Sequence, residues 1–197
     1  MSGLPLGRTL AGGLICLCLL AVRSSPHGPG EDSRGQWGWT AQSSVQMFWP
    51  VVHAQTITQP FGPTSLALEP PYDGYAHFHT GVDLAAPSGT PVCAAASGVA
   101  HVARELGASG AYVGYGLYVW IDHGQGWVSL YGHLSAVSVV DGQWVHTGQM
   151  IGRVGSTGWS TGPHLHFELR YHGDPVDPVI FYPALVKLTA TGTPSGR

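Results

Sequence analysis

Residues 164–169 read His-Leu-His-Phe-Glu-Leu, and this alternation of polar and apolar side chains is the pattern of a β-strand with one face buried. Alternate positions on a strand point to the same side, so His164 and His166 look into one shared space. Pro163 has no amide to donate to a sheet ladder and fits the first position of that strand. The preceding run, Gly155-Ser156-Thr157-Gly158-Trp159-Ser160-Thr161-Gly162, reads as a loop that aims it.

The rest of the chain favours strands as well. It holds 29 Gly and 15 Pro, only 10% of its residues are charged, and its β-branched and aromatic residues cluster in short runs. No long amphipathic helix is visible, so the fold class is all-β. At 197 residues with 44% hydrophobic content, the chain has room for one ordinary domain with a core, preceded by a leader.

The leader is read at residues 1–24: residues 10–22 are apolar, follow Arg8, and are shorter than the roughly 20 residues that span a bilayer. They resemble a signal peptide cleaved after Ser24, with a retained membrane anchor as the alternative; both lead out of the cytoplasm, to secretion or the cell envelope. Cys16 and Cys18 are read as apolar fillers in this run. Cys93 is the one cysteine beyond it, so no internal disulfide is expected and Cys93 is read as a small buried residue.

Residues 25–47, rich in Gly, Ser and Gln, read as a flexible tether in which Trp37 and Trp39 are the exceptions. The domain is placed at 48–184 and a disordered tail at 185–197. Within the domain, 92–96 and 99–104 look like paired strands, 107–116 like a Gly-rich loop, and 117–122 like a strand. A hairpin then turns at His123-Gly124-Gln125-Gly126, and its returning strand, 127–131, delivers His133. Two more strand candidates, 141–145 and 150–154, flank a turn at Thr147-Gly148.

Between residues 50 and 184, Arg104, Arg153 and Arg170 face nine carboxylates, an excess of six negative charges with histidines neutral. Such a surface is a poor partner for nucleic acid, and no phosphate-cradling loop is present. The chemistry therefore falls to the histidines. His79 and Asp83, four apart around Gly81, can converge on one ion if the segment turns there, with the His-Leu-His strand contributing from the other side. A zinc that hydrolyses an amide needs about three protein ligands and a position for water, whose pKa it lowers toward ~7. Histidines remain for proton transfer, among them His133, which ends a strand after Gly132. A lone His beside an Asp is ordinarily a hydrogen-bonded surface pair, but five suitable residues in three strand-associated motifs are hard to explain that way. His53, His77, His101, His123, His146 and His172 lack this arrangement and are read as surface or turn residues, with His77 the doubtful case.

The segments His79-Thr80-Gly81-Val82-Asp83-Leu84-Ala85-Ala86-Pro87, Tyr131-Gly132-His133-Leu134 and Gly158-Trp159-Ser160-Thr161-Gly162-Pro163-His164-Leu165-His166-Phe167-Glu168 resemble the lysostaphin and LytM family of zinc endopeptidases that cut peptidoglycan peptides. The resemblance covers about residues 49–182. It implies that His79, Asp83 and His166 bind zinc, while His164 and His133 form the catalytic pair. It further implies a mostly antiparallel β domain with an open groove floored by the metal. The partner is then a peptidoglycan peptide and the protein is expected as a monomer. Tyr72, Tyr75 and the loop from Gly107 to Tyr115 are candidates for the groove walls. A non-catalytic groove-binding or hydrolase-activating module of the same family is the competing class, and a carboxypeptidase or amidase acting on the same wall is a third. Neither the bond cut nor the division of labour between His133 and His164 follows from the sequence.

Overall fold

The computed structural model describes residues 47–51 and 56–182, together with a backbone ribbon in which β1 (Gly30–Glu31) pairs antiparallel with β2 (Trp37–Gly38). The leader, most of the tether and the tail lie outside the described residues, and the ribbon falls where the sequence pattern showed no regular structure. The chain divides into two units, Met1–Ser44 and Val45–Arg197, and everything below concerns the second.

Its strands follow the turn signals closely: β3 (Ile57–Gln59), β4 (Gly62–Pro63), β5 (Phe78–His79), β6 (Val82–Ala85), β7 (Pro91–Cys93), β8 (Gly98–Leu106) and β9 (Tyr112–Gly124). They continue with β10 (Trp127–Gly132), β11 (Leu134–Val137), β12 (Gln143–Val145), β13 (Met150–Val154), β14 (His164–Tyr171) and β15 (Asp174–Val176). A single 3-10 turn, Pro178–Phe181, follows, its first amides capped by the Asp177 carboxylate, which accepts from Val179 N. The main sheet runs β12-β8-β9-β10-β14-β6-β3, with β15 along the end of β14; a second sheet runs β11-β13-β7 and β4 pairs with β5. Every registered pair is antiparallel. The fold is the all-β, antiparallel architecture expected. No helix of the described residues is long and apolar enough to cross a membrane.

The core lies between the main sheet and the second sheet. Val82, Leu84, Val119, Ile121, Leu165, Phe167 and Leu169 from the first meet Val92, Leu134, Ile151 and Val154 from the second in one buried cluster. Because side chains alternate along β14, filling its core face with Leu165, Phe167 and Leu169 forces His164, His166 and Glu168 onto the opposite face, where His166 and Glu168 are buried as well. The β9–β10 hairpin turns through Gln125 and Gly126, both with positive φ (53° and 83°), the geometry a two-residue loop needs to match strand twist.

Two strand expectations change. Residues 92–96 and 99–104 do not pair with each other: β7 pairs with β13, and β8 pairs with β9 and β12. The link over residues 94–97 instead carries the chain from one sheet to the other. The Gly-rich stretch 107–116 is strand from Tyr112 onward, because Gly114 and Gly116 take positive φ (49° and 66°) and absorb a register shift opposite Arg104 and Leu106 without ending the ladder. The segments 141–145 and 150–154 both hold strands, β12 and β13, but in different sheets.

Candidate metal centre

Two adjacent strands and one short turn build the centre. His166 on β14 lies directly opposite Asp83 on β6 in the antiparallel register, so their side chains rise from the same face. The segment from His79 to Asp83 turns at Gly81, where a Cβ would collide with the Phe167 carbonyl oxygen and sit 2.9 Å from Glu168 Cγ. Only glycine lets the turn approach β14 closely enough to bring His79 to the other two. His79 Nε2, Asp83 Oδ1 and His166 Nδ1 then form a nearly equilateral triangle: 3.1 Å from His79 to Asp83, 3.0 Å from His79 to His166, and 3.0 Å from His166 to Asp83. All three residues are buried.

The outer nitrogens are tied off. His79 Nδ1 faces the Pro60 carbonyl at 2.9 Å, and a carbonyl can only accept, so Nδ1 carries the proton and Nε2 turns a lone pair inward. His166 Nε2 faces Glu168 Oε1 at 2.9 Å, which places the proton there and the lone pair on Nδ1. Three lone-pair-bearing atoms thus converge with edges close to the separation of about 3.3 Å that tetrahedral zinc imposes on donors at its usual bond lengths. This donor set fits zinc, and among the described residues it is the group of His, Cys, Asp and Glu side chains able to hold a metal ion. Its electrostatics agree. Burial would raise the Asp83 carboxyl, but the two imidazoles hold it well below the usual carboxylate range. Burial would lower His166, yet Asp83 and Glu168 on either side push it up to about 10, so without a metal Nδ1 holds a second proton, shared with Asp83, that a bound cation would displace.

His133 and His164 stand over the same space. Their ring centroids are 4.7 Å apart, His133 lies 5.8 Å from the His166 ring, and His164 Nε2 is 3.6 Å from Asp83 Oδ2. His133 follows β10 with φ at 59°, an uncommon conformation for a residue with a Cβ, and donates from Nδ1 to the Thr157 carbonyl at 2.7 Å. His164 donates from Nδ1 to the Gly162 carbonyl at 2.8 Å. Each therefore turns the lone pair of Nε2 toward the cleft. Burial, with the nearby His166 and His164, pushes His133 down to about 4, so it is neutral near neutral pH.

The cleft has loop walls. Leu66, Leu68 and Pro70 line one side, and Tyr115, Trp159 and Thr161 the other. Of the expected wall residues, Tyr115 lies in the cleft, whereas Tyr72 and Tyr75 pack beside Phe78, with ring centroids 5.2 and 5.8 Å away. Beneath the floor lies a set of residues that the motif search passed over. Glu168 is fully buried and accepts from His166, from Thr80 Oγ1 at 2.6 Å, from Tyr115 Oη at 2.6 Å and from Arg170 Nε at 2.7 Å. The same alternation that reveals His164 and His166 points to Glu168, but nothing local points to Tyr115.

His53 lies outside the described residues, and the other described histidines stand apart from this group. His77 Nδ1 is held by the Glu69 carbonyl at 2.8 Å, His101 stacks on Trp120 with centroids 4.0 Å apart, and His123 is half-buried between the Ser97 carbonyl and Ser129 Oγ. Cys93 is buried on β7, outside the metal-binding group.

The chain resembles known proteins through this same region. A 130-residue stretch, 66% of this chain and 27% of the relative, is 47% identical to the DD-carboxypeptidase/endopeptidase Mpg of Neisseria meningitidis. The chain thus spans about a quarter of that relative's length. A zinc containing peptidase from Vibrio cholerae superposes with a TM-score of 0.55 at 37% identity over 66% of this chain and 37% of that one. The antimicrobial peptidase lysostaphin from Staphylococcus simulans gives 0.57 at 29% identity over 77% of this chain and 59% of that one. Residues 77–178, more than half of the chain and the span that holds all five residues just described, match the model of peptidase family M23, and to that family the chain belongs.

Proposed function

We propose that this protein is a zinc-dependent endopeptidase that hydrolyses peptide cross-links or bridges of bacterial peptidoglycan, and that it works outside the cytoplasm. One observation carries the reading: His79 and His166 turn their inner nitrogens onto the Asp83 carboxylate, and Asp83, His166, His133 and His164 all line one cleft. A non-catalytic module has no need of a complete donor set beside two further unprotonated imidazole nitrogens. The name of the 47% identical Neisseria relative makes a D,D peptide bond the first substrate to try.

His79, Asp83 and His166 hold the zinc, which when bound polarises the scissile carbonyl and acidifies water. The chain's own groups do the rest. His133, neutral near neutral pH, and His164 both present Nε2 to the cleft, one to take the proton from the attacking water and pass it to the leaving amine, the other to steady the water or the developing charge on the carbonyl oxygen. The carbonyls of Thr157 and Gly162 fix both rings in the tautomer this requires. The sheet floor and loop walls form an open trough suited to an extended peptide.

The test is product analysis of defined muropeptides incubated with the protein, with and without a chelator. Cleavage that stops with the chelator and returns with zinc supports the proposal. Protein that holds zinc but cuts no wall peptide is the module.

A further inference from the structure

The mechanism leaves one strongly placed group without a task. Glu168 is a carboxylate with no exposed surface, gripped by four side chains. Each of those partners is a donor. Thr80, Tyr115 and His166 all bond Oε1, and Arg170 bonds Oε2 while its Nη2 also reaches Tyr115 Oη at 3.1 Å. The carboxylate can accept from all of them and donates to none.

We infer that Glu168 is a positioning residue for the metal donor His166, and that Thr80, Arg170 and the cleft tyrosine Tyr115 set how tightly the metal is held by fixing Glu168. The inference rests on the proposed zinc role of His166 and extends it to residues that touch no metal. The steps are geometric. Only an acceptor at His166 Nε2 keeps the proton there and leaves Nδ1 bare toward His79 and Asp83. A Glu168 free to rotate would give up that control, and the three other donors prevent rotation from three directions. His166 and Glu168 are i and i+2 on β14 and so share a face. Thr80 comes from the turn between His79 and Asp83, and Tyr115 from β9, two strands away in the main sheet. Tyr115 also lines the cleft, its ring centroid 5.5 Å from that of His166. Its hydroxyl is committed to Glu168, and burial beside that charge raises its pKa, so Tyr115 offers substrate a ring face and acts on the metal from below.

The experiment measures zinc alone, without substrate. The full-length wild-type chain and Glu168→Gln, Tyr115→Phe and Thr80→Val variants are titrated with zinc against a chromophoric chelator, and the unfolding midpoint of each metal-free protein is recorded alongside. Loss of an outer partner of a metal-bound histidine weakens metal binding by about 10- to 100-fold, and Glu168→Gln is expected in that range, with smaller losses for Tyr115→Phe and Thr80→Val. The absorption bands of the cobalt-substituted Glu168→Gln protein should also shift, since the donor ring is no longer held. A purely structural role would lower the metal-free midpoint and leave the zinc dissociation constant unchanged, which overturns the inference. If Glu168→Gln does not fold, the two single-hydroxyl variants decide: weaker zinc binding supports the inference and wild-type binding overturns it. A wild-type chain that holds no zinc removes the proposed function itself, a separate outcome from tight wild-type binding matched by the variants.

Discussion

His79 Nε2 and His166 Nδ1 face each other across 3.0 Å with Asp83 beside them, while the far nitrogen of each ring donates to an oxygen. That contact is repulsive unless a cation or a proton lies between. A ligand that binds only the folded state stabilises it by about 2.7 kcal/mol at a hundred times its dissociation constant. Chelation is therefore expected to lower the unfolding midpoint and zinc to restore it, read by thermal or urea unfolding with free zinc buffered. A midpoint indifferent to zinc would contradict the assignment.

The proposed metal donors and the proposed catalytic pair separate by substitution. His166→Ala is expected to lose zinc along with activity. His133→Ala should keep zinc and lose turnover by roughly 10²- to 10⁴-fold, the range for removing a general acid or base. Elemental analysis of both purified variants, paired with muropeptide turnover, decides; equal zinc content in the two would reverse the roles.

Gly81→Ala tests the close approach of the turn to β14. The added methyl meets the Phe167 carbonyl and Glu168 Cγ, so either the turn or the strand must shift. The expected cost is about 1–3 kcal/mol of stability, in line with overpacking elsewhere, together with weakened zinc binding because His79 and Asp83 flank the displaced residue. Urea unfolding of the metal-free variant measures the first effect and chelator competition the second.

His123 supplies a pH test away from the metal. Burial lowers its pKa, with the Ser97 carbonyl opposing in part. As pH falls below ~6.5 the unfolded chain takes up a proton before the folded one does. Its contribution is therefore present above that pH and lost as pH drops through the lower folded value, with a slope of at most about 1.4 kcal/mol per pH unit. His133, lowered likewise, adds to the same trend. Replacing His123 by Gln should flatten the loss of stability between about pH 7 and about pH 5 without abolishing it, as followed by urea midpoints. An unchanged slope would mean that the buried ring titrates normally.

What the sequence revealed and what it hid divide along locality. The period-two pattern of residues 164–169 survives any tertiary context, so the shared face of His164 and His166 was readable, as was the turn at Gly81. The hairpin at Gln125-Gly126 was equally plain, since two adjacent residues encode it. Pairing between distant strands is not written locally. That β7 leaves its neighbour β8 for β13, or that Asp83 sits opposite His166, depends on which apolar faces bury together. The Glu168 set shows the same boundary: Glu168 continues a visible alternation, but Tyr115 reaches it across 53 residues, from a glycine-interrupted stretch that reads as a loop.

The division between a sheet-built floor and loop-built walls has an evolutionary consequence. The proposed donors stand at the end of β5, on β6 and on β14, where almost any shift is punished, whereas Leu66, Leu68, Pro70, Trp159 and Thr161 belong to connections that tolerate exchange and insertion. A lineage can thus reshape the rim of the cleft by editing a few positions, while the donor set beneath it is inherited intact.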